Sequence, residues 1–182
     1  MSKKVLRALS VLVVMAFMGG NALAANNATS TTTGSDNNST ITQSGDGQTA
    51  NVDQNGDDNE SDVAQSNLNN TADVDQDGDD HESTVDQSGV GNNAEVTQTT
   101  TNNTSDVDQS GDGNNAIVNQ VNNLDFSEVF QSGDDNEAFV DQDRGNQSTV
   151  DQSGDDNTAD VNQIGNAVGS NIGNESTITQ SG

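Results

Sequence analysis

The sequence predicts an all-β chain: a two-sheet parallel β-solenoid, cross-β in its stacking, with about 22 residues per coil and two arms of about 11 residues in each. Three observations carry this. Gln recurs every eleven residues at Gln43, Gln54, Gln65, Gln76, Gln87, Gln98, Gln109, Gln120, Gln131 and Gln142, then at Gln152, Gln163 and Gln180 after one deletion and one six-residue insertion within residues 166–175. Val or Ile stands two positions before each of these glutamines, Ala or Ser four before, and Asn or a substitute six before. The small residue alternates strictly along the chain: Ser39, Ala50, Ser61, Ala72, Ser83, Ala94, Ser105, Ala116, Ser127, Ala138, Ser148, Ala159, Ser176.

A spacing of two is the period of a strand, so Asn, Ala/Ser, Val/Ile and Gln share one face of a short strand while the residues between them face outward. Those outward residues are mostly Asp, Glu, Thr and Asn. The Gly two positions after Gln, as in Gln43-Ser44-Gly45 and Gln54-Asn55-Gly56, supplies a tight turn, because a residue without Cβ adopts positive φ at little cost. Each arm is therefore one strand and one turn. The Ala/Ser alternation makes the two arms of a coil unlike, so stacking coils about 4.8 Å apart puts Ser over Ser on one sheet and Ala over Ala on the other. The inward amides of Gln and Asn then form ladders, with each amide expected to bond its copies above and below.

In chain order, residues 1–24 read as a signal peptide: Lys3, Lys4 and Arg7 precede an apolar run over residues 11–18, and Ala22-Leu23-Ala24 is a small-x-small cleavage site. The mature chain is expected to start at Ala25. Residues 25–38 are either a Thr/Asn-rich leader or a degenerate first arm. Stepping eleven back from Ser39 reaches Ala28, as the alternation requires, but Ser30 and Thr32 stand where Val and Gln belong. Residues 39–182 are the repeat solenoid.

Composition excludes several functions. The chain has 182 residues with no Cys, Pro, Trp or Tyr, and sets 30 Asp+Glu against 4 Lys+Arg. Loss of the leader leaves Arg144 as the only cation, which excludes nucleic-acid binding. Only 27% of the residues are hydrophobic, too few for a conventional core, so order has to come from repetition and polar ladders. No membrane insertion is expected once the leader is removed. Catalysis is excluded as well: His81 is the only His and fills an inward Asn position, so neither a triad nor a zinc site can be assembled.

The pattern Gln-x-Gly-x-x-Asn-x-Ala-x-x-x-Gln, seen as Gln54-Asn55-Gly56-Asp57-Asp58-Asn59-Glu60-Ser61-Asp62-Val63-Ala64-Gln65, resembles the curlin repeat of curli fibre subunits. The resemblance spans nearly the whole mature chain. It implies a secreted subunit of a functional amyloid on the bacterial surface, serving biofilm matrix, adhesion and aggregation. Its partners would be other copies of itself, a nucleator subunit and an outer-membrane secretion pore. The implied stacking core is the set of Gln residues above with Asn59, Asn70, Asn92, Asn103, Asn114, Asn136 and Asn157. The family also uses Asp in turns to restrain premature aggregation, a role that Asp57, Asp58, Asp79 and Asp80 match. The chain departs from the family's usual pattern in having more arms, no Tyr and a higher acidity, and in placing Ser four rather than six positions before Gln.

Residues 22 apart are vertical neighbours, so Asp57-Asp58 lies over Asp79-Asp80, and Asp112, Asp134-Asp135 and Asp155-Asp156 form a second column. Two such charges repel by roughly 0.9 kcal/mol even in water. Salt would screen this, or Ca²⁺ would bridge Asp134, Asp135, Asp155 and Asp156, since oxygen ligands favour that ion; no cofactor is otherwise required. Like-charge repulsion is also expected to raise carboxyl pKa values on stacking. The outward apolar residues Ile117 and Phe139, with Phe126 and Phe130 on or beside the other sheet, are candidates for lateral contact. The alternative function is a monomeric acidic solenoid that binds Ca²⁺ or a regular surface, as an adhesin or ice-binding module does. Its outward Thr ranks would be limited to Thr40/Thr42 and Thr177/Thr179.

Overall fold

A computed structural model describes residues 25–165 and 173–182. The expected leader, residues 1–24, and most of the expected insertion, residues 166–172, lie outside the described residues. The rest form strands and turns, with no helix: β1 (Asn27–Ser35), β2 (Asn38–Asp46), β3 (Thr49–Asp57), β4 (Glu60–Leu68), β5 (Thr71–Asp79), β6 (Glu82–Val90), β7 (Asn93–Thr101), β8 (Thr104–Asp112), β9 (Asn115–Val121), β10 (Phe126–Ser132), β11 (Glu137–Asp143), β12 (Gln147–Ser153), β13 (Thr158–Ile164) and β14 (Glu175–Ser181).

Odd strands form one seven-stranded sheet in the order β1-β3-β5-β7-β9-β11-β13, and even strands form the other, β14-β12-β10-β8-β6-β4-β2. All pairings are parallel, as the solenoid reading requires. Register follows the repeat: Ala50 pairs with Ala72, Val52 with Val74 and Gln54 with Gln76 on the odd sheet, and Ser61 with Ser83, Val63 with Val85 and Gln65 with Gln87 on the even sheet. The one-residue deletion and the insertion are absorbed at the corners, so Gln131 still meets Gln152 and Gln152 still meets Gln180.

Residues 27–35 are a strand, and their pairing with β3 sets Ala28 against Ala50, Ser30 against Val52 and Thr32 against Gln54. The polar Ser30 and Thr32 hide this arm from a hydrophobicity reading, while the turn Gly34 and the small Ala28 keep its register.

The core is a single file of Val and Ala between the sheets, from Ile41 to Val161, flanked on each side by buried Gln and Asn. The turn glycines hold the closest approach between coils. Gly56 has φ 130°, and a Cβ there would lie 1.8 Å from the carbonyl oxygen of Gly78 in the next coil. Where the repeat lacks this Gly, Asn67, Thr100, Asn122 and Arg144 take its place at φ between 72° and 85°, nearer the left-handed region that side chains can enter.

A second left-handed position follows two residues later, which the sequence reading did not separate from the charge column. It holds Asp36, Asp58, Asn69, Asp80, Asn102, Asp135 and Asp156, all with φ between 55° and 60°, and Gly47, Gly91 and Gly113 with φ between 67° and 73°. Asp and Asn are the residues besides Gly that enter this region most readily, so the backbone itself selects for them here. Leu124 is the exception, at φ 64° and 55% exposed.

Candidate fibre-stacking site

The Gln ladder is continuous on both sheets. On the even sheet the Nε2 of each Gln donates to the Oε1 of the Gln below, from Gln43 to Gln65 at 2.8 Å through Gln109 to Gln131 at 2.8 Å and on to Gln152 and Gln180 at 2.9 Å. The odd sheet repeats this from Gln54 through Gln76, Gln98, Gln120 and Gln142 to Gln163. Each Nε2 spends its second hydrogen on a main-chain carbonyl of the facing arm, as Gln109 does on Asn93 at 2.9 Å. Both donor hydrogens and the acceptor of an interior amide are thus used inside a dry core.

The Asn positions act differently from the expectation. Their amides bond chiefly to the main chain. Asn59 Oδ1 accepts from the backbone N–H of His81 at 3.0 Å, while its Nδ2 donates to the carbonyl of Gly78 at 2.8 Å. Asn70, Asn92, Asn103 and Asn114 follow the same rule. Among the described residues, direct amide-to-amide bonds between these inward corner positions occur only from Asn136 to Asn114 and from Asn157 to Asn136. The reason is position: Asn sits at the corner, where the chain leaves the ladder and its N–H and C=O groups need side-chain partners.

The repeat frame also places Asn37, Gln48, His81, Asp125, Asn146 and Asn174 at these corners. His81 reproduces the Asn acceptor through Nδ1, which takes the N–H of Asn103 at 3.3 Å, and burial keeps its pKa below the usual value. Asp125 accepts the N–H of Asn146 on Oδ1 at 2.9 Å, but its buried Oδ2 has no partner. Burial, with Asp143 adding to it, raises this carboxyl to about 6.

The Asp columns stand where the sequence put them, and they do more than repel. Asp57 Oδ1 accepts the backbone N–H of Ser35 at 2.8 Å, and Asp79 Oδ1 that of Asp57 at 2.9 Å. In the second column Asp112, Asp134 and Asp155 accept from Val90, Asp112 and Asp134 at 2.9–3.1 Å. A hydrogen bond to a charged group is worth roughly 1.5–3 kcal/mol, more than the repulsion of about 0.9 kcal/mol between neighbours, so the column holds within a chain. Asp58, Asp80, Asp135 and Asp156 fill the left-handed turn position. Among the described residues no three acidic or His side chains form a metal-binding group.

On the strand faces, burial holds Asp75, Asp106 and Asp108 above the ordinary carboxyl range, with like charge from Asp53, Glu128 and Asp86 respectively adding to it. The expected cause was like charge; desolvation between neighbouring side chains comes first. The outward apolar residues divide between two faces: Ile117 pairs with Phe139 on the odd sheet, and Phe126 and Phe130 lie on β10 of the even sheet.

The fold and ladders define a parallel cross-β solenoid whose repeat is held by inward amides. The curlin associated repeat matches residues 40–66, 69–99, 100–143 and 144–165, well over half of the chain. The chain belongs to the curlin-repeat family. Among curated proteins, none matches it.

Proposed function

We propose that this chain is a secreted structural subunit, without enzymatic activity, that polymerises into extracellular curli-like amyloid fibres serving biofilm matrix, surface adhesion and aggregation. The observation that supports this most is the state of the ends. Among the described residues the outermost strands β1, β2, β13 and β14 each pair on one side only, whereas every interior strand pairs on both. Unpaired edges of parallel in-register sheets are templates for another chain. The family supports the same reading, with a nucleator subunit and an outer-membrane pore as further partners. No cofactor is needed, and Ca²⁺ enters as an ion that screens or bridges the acidic columns.

Purified mature chain is expected to form thioflavin-positive fibres, with fragments of those fibres abolishing the lag phase. A chain that stays monomeric in sedimentation at every salt concentration and pH tested would overturn the proposal. Calcium titration of that monomer would then test the alternative, an acidic binding module.

Charge on the turns should set the rate. Replacing Asp57, Asp58, Asp79 and Asp80 by Asn removes four charges while keeping an oxygen for the N–H bonds and a residue tolerant of positive φ. The lag in low salt should shorten severalfold and lose most of its salt dependence. A variant no faster than the parent in low salt would show that these columns do not restrain assembly.

A further inference from the structure

The outward face of the odd sheet changes character along the solenoid. On β1, β3, β5 and β7 every outward side chain is polar. On β9, β11 and β13 that face gains Ile117, Val121, Phe139 and Ile164, set around two carboxylates of β11, Asp141 and Asp143. Register fixes the arrangement. Val121 and Ile164 flank Asp143, Asn119 and Asn162 flank Asp141, and Phe139, with Ile117 beside it, precedes Asp141 on the same face of β11. Between these side chains lies an open groove of about 320 Å³, with Val121, Ile164, Asn119 and Asn162 in its walls and Asp141 and Asp143 in the middle. Val121 and Ile164 are 38% and 73% exposed.

We infer that this groove binds a small organic cation with a flat apolar body. Neighbouring strands lie about 4.8 Å apart, so Val121 and Ile164, two strands apart, stand about 9.6 Å from each other and leave between their side chains a slot for one ring system set on edge. The two carboxylates below it are not equivalent. Asp143 Oδ1 accepts from Asn122 Nδ2 and lies 3.6 Å from Arg144 Nε, whereas Asp141 accepts from Asn119 Nδ2 at 3.3 Å. Among the described residues the sole ion pair is that of Arg144 with Asp143, so the charge of Asp141 is left for a ligand to meet. Size and charge then choose the occupant. The volume falls at the lower end of small-molecule sites, roughly 300–1,000 Å³. An anion, or a second copy of this chain at net charge −26, would bring like charge onto the carboxylates. A neutral apolar molecule would desolvate them without a partner. A cation with an apolar body satisfies both the walls and the carboxylates.

A second groove on the same sheet face shows what the apolar walls add. It lies over β5, between β3 and β7, with a volume of about 200 Å³ and four carboxylates in its lining, Asp53, Asp73, Asp75 and Glu95. The outward side chains around it are otherwise Asn51 and Thr97, so it draws cations by charge and offers an apolar body nothing to pack against. The groove over β11 has fewer carboxylates and selects by both properties. Three strands of one chain build it, so binding goes beyond the fibre-subunit reading and does not depend on polymerisation.

Berberine, a planar aromatic quaternary cation whose fluorescence rises in apolar surroundings, is a suitable probe. Titrated against the purified mature chain in low salt, it should saturate at one site per chain. The double variant D141N/D143N keeps an oxygen for Asn119 and Asn122 and removes both charges, and it should weaken binding about tenfold. D73N/D75N removes the same charge from the other groove and should change the affinity less than about twofold. V121N, which places at β9 the residue that β3 carries as Asn55, should weaken binding about threefold through the lost apolar wall. D141N alone decides the matter should the double variant lose its strand signal in circular dichroism. Equal losses from the two Asp pairs would reduce the binding to the general field of an acidic chain and overturn the site. So would unchanged affinity in V121N, or binding that never saturates. None of these outcomes bears on whether the chain forms fibres, which thioflavin and sedimentation read separately.

Discussion

Replacing Gln109 by Leu is expected to break the solenoid near its middle, although the substitute is apolar, similar in volume and placed in a buried site. Gln109 accepts from Gln87 at 2.8 Å, donates to Gln131 at 2.8 Å and donates to the carbonyl of Asn93 at 2.9 Å. Leu removes all three bonds and leaves the Gln131 acceptor and one Gln87 hydrogen facing hydrocarbon. Each stranded buried polar group costs about 1–3 kcal/mol, so the loss of the two sums to roughly 2–6 kcal/mol, while the added apolar contact returns at most about 1–2 kcal/mol. A large drop in the urea midpoint by circular dichroism is the expected result. Replacing the outward Thr104 in the same arm by Ala should move it little, within about 0.5 kcal/mol. Equal losses for the two variants would show that the apolar file, and not the amide ladder, carries the stack.

In a solenoid, the register of sheet pairing is written directly as sequence period, and this explains how much was legible beforehand. Thirteen of the fourteen strands, the separation of Ala and Ser arms and the vertical partners of every Gln follow from counting elevens and twenty-twos. What stayed hidden depended on corner geometry, which has no period of its own. The role of Asp58 and Asp80 as left-handed turn residues was masked by their charge, since one residue type answers to both demands. The partners of Asn59 and Asn103 were misread because an Asn ladder and an Asn that bonds to the backbone have the same sequence signature. Asp125 was passed over because it looks like one more acid in an acidic chain, and only the repeat frame shows that it stands where Asn belongs.

That substitution is expected to make stability depend on pH. Asn103, at the corner one coil earlier, donates its Nδ2 to the carbonyls of Thr99 and Asn122 at 2.9 and 2.7 Å. A carboxyl at position 125 can imitate that donor only when protonated. Ionised, it leaves Oδ2 buried and unpartnered, 1% of the residue being exposed, with the Asp143 charge near it. Its folded pKa of about 6 lies above the unfolded value of 3.8, so the folded chain holds this proton more tightly than the unfolded chain does. The resulting stabilisation is complete below pH 3.8 and is lost as pH rises through about 6, a swing of roughly 3 kcal/mol at about 1.4 kcal/mol per pKa unit. His81, in the same corner column, pulls the other way: its lowered pKa favours the folded state above the ordinary His range and weakens it as pH falls below that range. The Asp125→Asn variant isolates the first effect, because it supplies the missing donor at every pH. At pH 7–8 it should be more stable than the parent by about 2–3 kcal/mol, and near pH 4 the two should converge. Urea midpoints of parent and variant measured from pH 4 to pH 8 give the comparison. Parallel curves across that range would mean that the buried carboxyl finds another partner in solution and that the pH dependence arises on the strand faces, at Asp75, Asp106 and Asp108.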